Sequence, residues 1–301
     1  MMKVMTDLNG GFRMMQKVLG YVIEDSIVKE EEAKILTHIN VAFGHLTMNG
    51  ELVFDYHPFL KQMKQVREWN PDIKIVLSII PEEPDAFTVV SASEELRGNL
   101  TEACRKLVAE SGFDGVDFDW EYPCVPSNGM NCSPADRENF TLLCEAARKG
   151  MDAAGGGIVS IAAGADLYYI ESIEVDKLAK ILDYVCLMTY DLKCGFHALS
   201  GHHTALYSST GDIFRNSCDQ ALRLFHQAGF PKEMLLMGMS KTVITVFCSI
   251  QKKAAAMVRI MTNLQKNTSI KMVMSLTGMT KQKRPSCLTV PLLSAMTMSA
   301  L

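Results

Sequence analysis

No aspartate or glutamate occurs after residue 240 of this 301-residue chain, and that is the first of several informative absences. No stretch approaches 18 consecutive apolar residues, so no membrane-spanning helix is expected. The N-terminal MMKVMTDLNGGFRMMQ has a lysine but no apolar core behind it. It does not read as a secretory signal, so a cytoplasmic location is expected as written, with export the alternative. The nine cysteines include no C-x-x-C pair and no His/Cys zinc spacing, so no metal is expected. Cys124 and Cys132 share one loop; in a reducing compartment they are expected to stay thiols, a disulfide being the alternative. His38, His45, His57, His202 and His203 lack ligand spacing and read as ordinary surface or loop residues. Lys61 to Arg67 reads as a solvated basic helix face. No glycine-rich phosphate loop opens any helix, which argues against a nucleotide-binding doubly wound sheet.

Charge is divided along the chain. All 34 acidic residues lie before position 241, whereas nine of the 30 Lys and Arg lie beyond it. An acidic body argues against a nucleic-acid partner. An apolar fraction of 48% with 21% charged residues is enough for a packed core.

From residue 17 onward, apolar strand-like runs alternate with amphipathic helices. The strands read Lys17–Ile23, Thr37–Phe43, Ile73–Ile79, Gly112–Asp119, Ile158–Ala163, Tyr184–Tyr190 and Met234–Met239. Their near-continuous apolar character is that of strands buried on both faces. One helix carries Leu96, Leu100, Ala103 and Leu107 on one face. A second carries Phe140, Leu143, Cys144 and Ala147 and is expected to open with Ser133 as N-cap and Pro134 at its first position. A third carries Phe214, Cys218, Ala221, Leu222 and Phe225 and stops at Gly229. Seven β-then-α units predict an α/β fold with a parallel sheet, of the TIM (β/α)8-barrel type. The barrel is incomplete: seven strands are read, the eighth is missing, and the first and seventh strands are expected to expose unpaired edges.

The fourth strand ends SGFDGVDFDWEYP. Asp117, Asp119 and Glu121 are spaced i, i+2, i+4, so on a strand they share one face while Val116, Phe118 and Trp120 face the helices. In a parallel barrel that face is the interior, rising toward the C-terminal mouth. Stacked carboxyls raise one another's pKa, so at least one is expected to hold a proton near neutrality. An edge strand in water does not explain the large apolar residues between them. A calcium site would want ligands on a flexible loop with a turn glycine.

DGVDFDWEYP resembles the D-x-x-D-x-D-x-E signature of family 18 glycoside hydrolases, with Asp114, Asp117, Asp119 and Glu121 in its acidic positions. Lys17-Val-Leu-Gly-Tyr21 resembles that family's first strand, His38-Ile-Asn-Val-Ala-Phe43 its second, and Cys186-Leu-Met-Thr-Tyr-Asp191 its M-x-Y-D strand. The resemblance covers residues 17–240. It implies hydrolysis of β-1,4-linked N-acetylglucosamine units, as in chitin or chitooligosaccharides, by a retaining, substrate-assisted mechanism without a cofactor. It further implies that Glu121 is the general acid, that Asp119 orients the acetamido group, that Asp117 tunes Asp119, and that Tyr190 holds the acetamido oxygen. Tyr21, Phe43, Met188 and Asp191 are the implied substrate-binding residues, and Asp114 the implied structural one. The partner is then a carbohydrate, and a monomer is expected. The alternatives are a non-hydrolytic glycan-binding protein, which in that family typically lacks the glutamate, and an inactive truncated remnant.

Two departures stand out. The family's third strand ends in a serine followed by paired glycines, whereas Ser78 here precedes Ile79, Ile80 and Pro81. The segment 241–301 holds seven of the 20 methionines, no Trp or Tyr, and no acid. Read in a shifted frame, QKKAAAMVRIMTNLQK can encode EEGGGYGPDYDEFTK, restoring the missing residue types. The expected organisation is therefore an N-terminal extension 1–16, a barrel domain 17–240, and a tail 241–301 that is out of frame, a genuine helical or membrane-binding tail being the alternative. The usual eighth-strand tryptophan is absent; the only tryptophans are Trp69 and Trp120.

Overall fold

The computed structural model describes residues 17–241 apart from 24–25, 56, 127–128, 130, 194–201, 209 and 211–215, plus the backbone of short strands at 5–6, 12–13, 244–248 and 271–275. Phe214 lies outside these residues.

Seven strands run parallel in chain order: β1 (Val18–Val22), β2 (His38–Leu46), β3 (Lys74–Pro81), β4 (Gly115–Phe118), β5 (Ile158–Gly164), β6 (Tyr184–Met188) and β7 (Leu235–Lys241). Each pairs with its sequential neighbour, as repeated β/α crossovers dictate. Helices cover the outside, among them α1 (Glu30–Ile35), α2 (Met63–Trp69), α3 (Ala86–Ala92), α4 (Glu94–Ser111), α5 (Asp136–Ala153), α6 (Leu167–Glu171), α7 (Val175–Ile181) and α8 (Cys218–Ala228). The main core lies between strands and helices; a second cluster of Leu19, Tyr21, Ala42, Tyr184, Cys186 and Leu236 fills the interior.

No eighth parallel strand is seen among the described residues. The expected bare edges are nevertheless covered. Strands β8 (Ile244–Cys248) and β9 (Lys271–Ser275) lie antiparallel to β1, and β8 also forms a hairpin with β7. Backbone N–H and C=O groups on an open edge require partners, and the β-branched, aromatic ITVFC is suited to extended pairing.

Local signals account for the helix ends. Ser93 caps α4 by accepting from the Leu96 amide, and Gly112 ends it at φ 76°, a left-handed conformation that glycine adopts without Cβ strain. Ser217 caps α8 in the same way through the Gln220 amide. At α5 the expectation fails: the helix begins at Asp136, not after Ser133. Asp136 is buried, and its carboxylate accepts from the Ser133 and Cys124 amides. That turn occupies the residues which a Ser133 cap would have placed in the first helical turn.

Candidate active site

The acidic strand divides its carboxylates among three places. Asp114, just before β4, sits at the foot of the barrel, where its Oδ2 accepts from the Ile75 amide and from Arg67 at 2.8 Å each. Lys74 reaches its other oxygen at 3.3 Å. Arg67 also donates to the carbonyls of Gly112 and Ile73, so this residue is a tie between β3 and β4 rather than part of a merely solvated face.

Asp117, fully buried on β4, is the centre of the interior. Tyr21 and Ser78 donate to its Oδ2 at 2.7 and 2.9 Å, and Ser160 donates to Oδ1 at 2.7 Å. Burial pushes the Asp117 carboxyl above the ordinary aspartate range, and these hydroxyl donors pull it partly back. The same burial, with Asp117 adjacent, raises the Tyr21 phenol well above its usual value.

Asp119 and Glu121 lie beyond the C-terminal end of β4, which stops at Phe118 instead of Asp119. Both line a cavity of about 360 Å³ at the barrel mouth. Tyr21, Phe43, Met188, Tyr190 and Asp191 line it as well. Tyr190 and Asp191 follow the end of β6 at Met188. Burial, then the charges of Asp119 and Glu121, push the Tyr190 phenol well above its ordinary value, so it stays a neutral hydroxyl. Non-proline cis peptides precede Phe43 and Tyr122 on the cavity wall.

Val116, Phe118 and Trp120 turn outward into the main core. Trp120 stacks on Phe87 of α3 at 5.2 Å and meets Phe140 of α5 edge-on. Trp69 packs against the same core, and neither tryptophan lines the cavity. On the third strand, pairing with β2 continues through Ile80 and Pro81, and no β3 residue reaches the cavity lining.

Several contributors were not singled out from sequence. Ser160 carries no motif; only the register that sets it beside Asp117 reveals it. Asp166 lines the cavity while capping α6 through the Tyr169 amide, and Asn216 enters from the segment before α8. Gly164 leaves room at the wall, where a Cβ would lie 3.2 Å from the Tyr122 ring. Two of the histidines, His38 and His57, differ from expectation. His38 is buried edge-on to Tyr184, and burial followed by the nearby Lys17 holds its pKa down to about 3. His57 is buried, with its ring 3.0 Å from the Ala42 carbonyl. His203 lies 3.0 Å from Asp191, a residue at φ 54°. Among the described residues Cys124 and Cys132 are free, and no group of three potential ligands forms a metal site.

A parallel β/α half-barrel with carboxyls climbing one strand to its mouth has well-defined relatives. Residues 17–245 match glycosyl hydrolases family 18, and the chain belongs to that family. The fold of a family 18 N-acetylglucosaminidase from Paenibacillus barengoltzii superposes with a TM-score of 0.69 at 41% identity, over 72% of this chain and 66% of that one. The chitinase domain of the spore coat protein CotE from Clostridium difficile gives 0.66 at 31% identity, over 76% and 68%. Mouse chitotriosidase-1 is 26% identical over 225 residues, 70% of this chain and 48% of the relative. The chain spans under half the length of curated relatives such as this one.

Proposed function

We propose that this protein is a chitinase-type glycosidase, cleaving β-1,4-linked N-acetylglucosamine units with retention of configuration. The observation that carries the reading is the convergence of Glu121, Asp119 and Tyr190 on one cavity directly above a caged Asp117. Glu121 donates its proton to the glycosidic oxygen as the bond to the anomeric carbon breaks. The substrate's acetamido oxygen takes the place of an enzyme nucleophile, closing an oxazolinium-type ring on that carbon. Asp119 orients the acetamido N–H and balances the positive charge, while Asp117 shares a proton with Asp119 and tunes it. Tyr190, held neutral, hydrogen-bonds the acetamido oxygen, and Asp191 supports the sugar hydroxyls. Water then opens the ring, with Glu121 as base.

Release of a chromophore from a chitooligosaccharide tests this, with Glu121→Gln as the control. Hydrolysis by the wild type and its loss in the variant are expected. Binding without hydrolysis would replace the reading by a glycan-binding protein, and activity surviving in Glu121→Gln would remove Glu121 as the acid. For the tail, we infer a shifted reading frame from residue 241, which resequencing the coding DNA across codons 236–250 would check. A single-base difference there is expected; an unaltered sequence would overturn it.

A further inference from the structure

Ala42 and Phe43 of β2 form part of the cavity wall, at an irregularity in the sheet. Ala42 lies opposite Ser78 and Gly44 opposite Ile79, so Phe43 is one extra residue against two consecutive residues of β3. Pairing with β1 has already ended, at Val41. A bulge of this kind breaks the ladder and re-aims a side chain, here that of Phe43. It leaves the carbonyl of Ala42, a residue only 2% exposed, beside the break. A buried carbonyl there requires a donor from outside the ladder.

His57 provides one. Its ring Nε2 stands 3.0 Å from the Ala42 oxygen, and its Nδ1 stands 3.2 Å from the Phe59 amide. An amide N–H can only donate, so Nδ1 is the acceptor and Nε2 carries the proton that reaches Ala42. The backbone of His57 is held on both sides, its N–H donating to the Phe54 carbonyl and its carbonyl accepting from the Leu60 amide. Phe54 meets Phe113 edge-on and Phe59 is buried in the main core, which anchors the turn that carries the imidazole. His57 itself is 2% exposed, so bulk water does not substitute for the ring.

We propose that His57 is a positioning residue for the cavity wall: by donating to the Ala42 carbonyl at the bulge, it holds Phe43 where a sugar ring meets it. The effect on substrate rests on the hydrolase reading above. His57 does not line the cavity, so it moves no proton in the reaction and acts only through the Ala42–Phe43 backbone.

Two substitutions separate the ring nitrogens. His57→Asn keeps an acceptor for the Phe59 amide, as asparagine does at helix starts, but lacks the reach to Ala42. His57→Gln keeps an N–H at the distance of Nε2. The experiment follows the aromatic 13C signals of phenylalanine-labelled protein, that of Phe43 being assigned by its loss in Phe43→Leu, together with KM and kcat on a chitooligosaccharide. His57→Asn is expected to shift the Phe43 signal and to raise KM about three- to tenfold, with kcat changed less than about twofold. His57→Gln is expected to return both toward the wild type. A Phe43 signal unmoved in folded His57→Asn, or left displaced in folded His57→Gln, would overturn the proposal, as would a fall in kcat with KM unchanged. A wild type that cleaves no chitooligosaccharide would defeat the hydrolase reading, while the Phe43 signal still reports the coupling to His57. If the variants do not fold, the imidazole tautomer of the wild type decides, read by NMR of 15N-histidine in mildly alkaline buffer. A proton on Nε2 is expected; a proton on Nδ1 overturns the proposal, because neither hydrogen bond then forms.

Discussion

At the foot of the barrel Asp114 meets Arg67 and Lys74, and Asp183 meets Arg148. The cavity at the mouth is lined by Asp119, Glu121, Asp166 and Asp191, with no lysine or arginine among its described lining residues. Foot carboxylates also accept strand amides, Ile75 for Asp114 and Val159 for Asp183, and so tie neighbouring strands together. The same acid thus ties strands together at one end, while at the other it faces a cavity whose described lining holds no lysine or arginine. Proximity to a guanidinium lowers a carboxylate's basicity and fixes its geometry, both unsuited to the proton-donating role proposed for Glu121. Asp117, between the two ends, accepts from the hydroxyls of Tyr21, Ser78 and Ser160 at 2.7 to 2.9 Å.

The largest expected effect comes at the mouth. Glu121→Gln should lower kcat by about 10²–10⁴-fold, the usual share of general acid catalysis, with an unchanged melting temperature. Loss of folding in place of activity would put Glu121 with the foot residues and break the contrast.

Asp117→Asn comes next and reads both ends at once. Because burial raises the Asp117 pKa in the folded state, its neutral form is the one the fold favours. Its stabilising contribution is full below the unfolded value near ~4 and is lost as pH rises through the raised folded value. The variant should therefore lose activity yet melt progressively higher than the wild type as pH increases over that window, a difference followed by circular dichroism at several pH values. A pH-independent difference would show that burial does not perturb Asp117.

At the foot, Asp114→Ala leaves the Ile75 amide and two cations without their acceptor. The expected loss is about 1–3 kcal/mol, seen as a lower urea midpoint, with kcat retained in the folded fraction. A selective fall in kcat would blur the division. The smallest effect is expected for His203→Ala, which removes the partner of Asp191. That pair is largely exposed, so KM should rise only a few-fold, with kcat constant, and His203→Asn should recover much of it.

Much of the fold was legible because parallel strands covered on both faces must be apolar nearly throughout, which marked seven of them to within a few residues. The i, i+2, i+4 carboxylates were legible for the same periodic reason. The cap of α5 was misread because Asp136, a buried acid that folds its side chain back onto two amides, looks in sequence like any polar residue of a first helical turn. The strand edges were misread because residues 244–248 and 271–275 pair antiparallel, a long-range choice that apolar runs do not specify.

By itself, then, the sequence determined the order of the β/α units and the alternation that sends Asp117 inward and Phe118 outward, since both follow from local periodicity. Only the tertiary structure decided that Ser78, Ser160 and Tyr21 meet on one carboxylate, and that Arg67 answers Asp114. It also decided that Tyr190 and Asp166 share a cavity with Glu121. Those meetings depend on register and barrel curvature, which bring together residues as far apart as 96 positions in the chain and leave no trace in their local spacing.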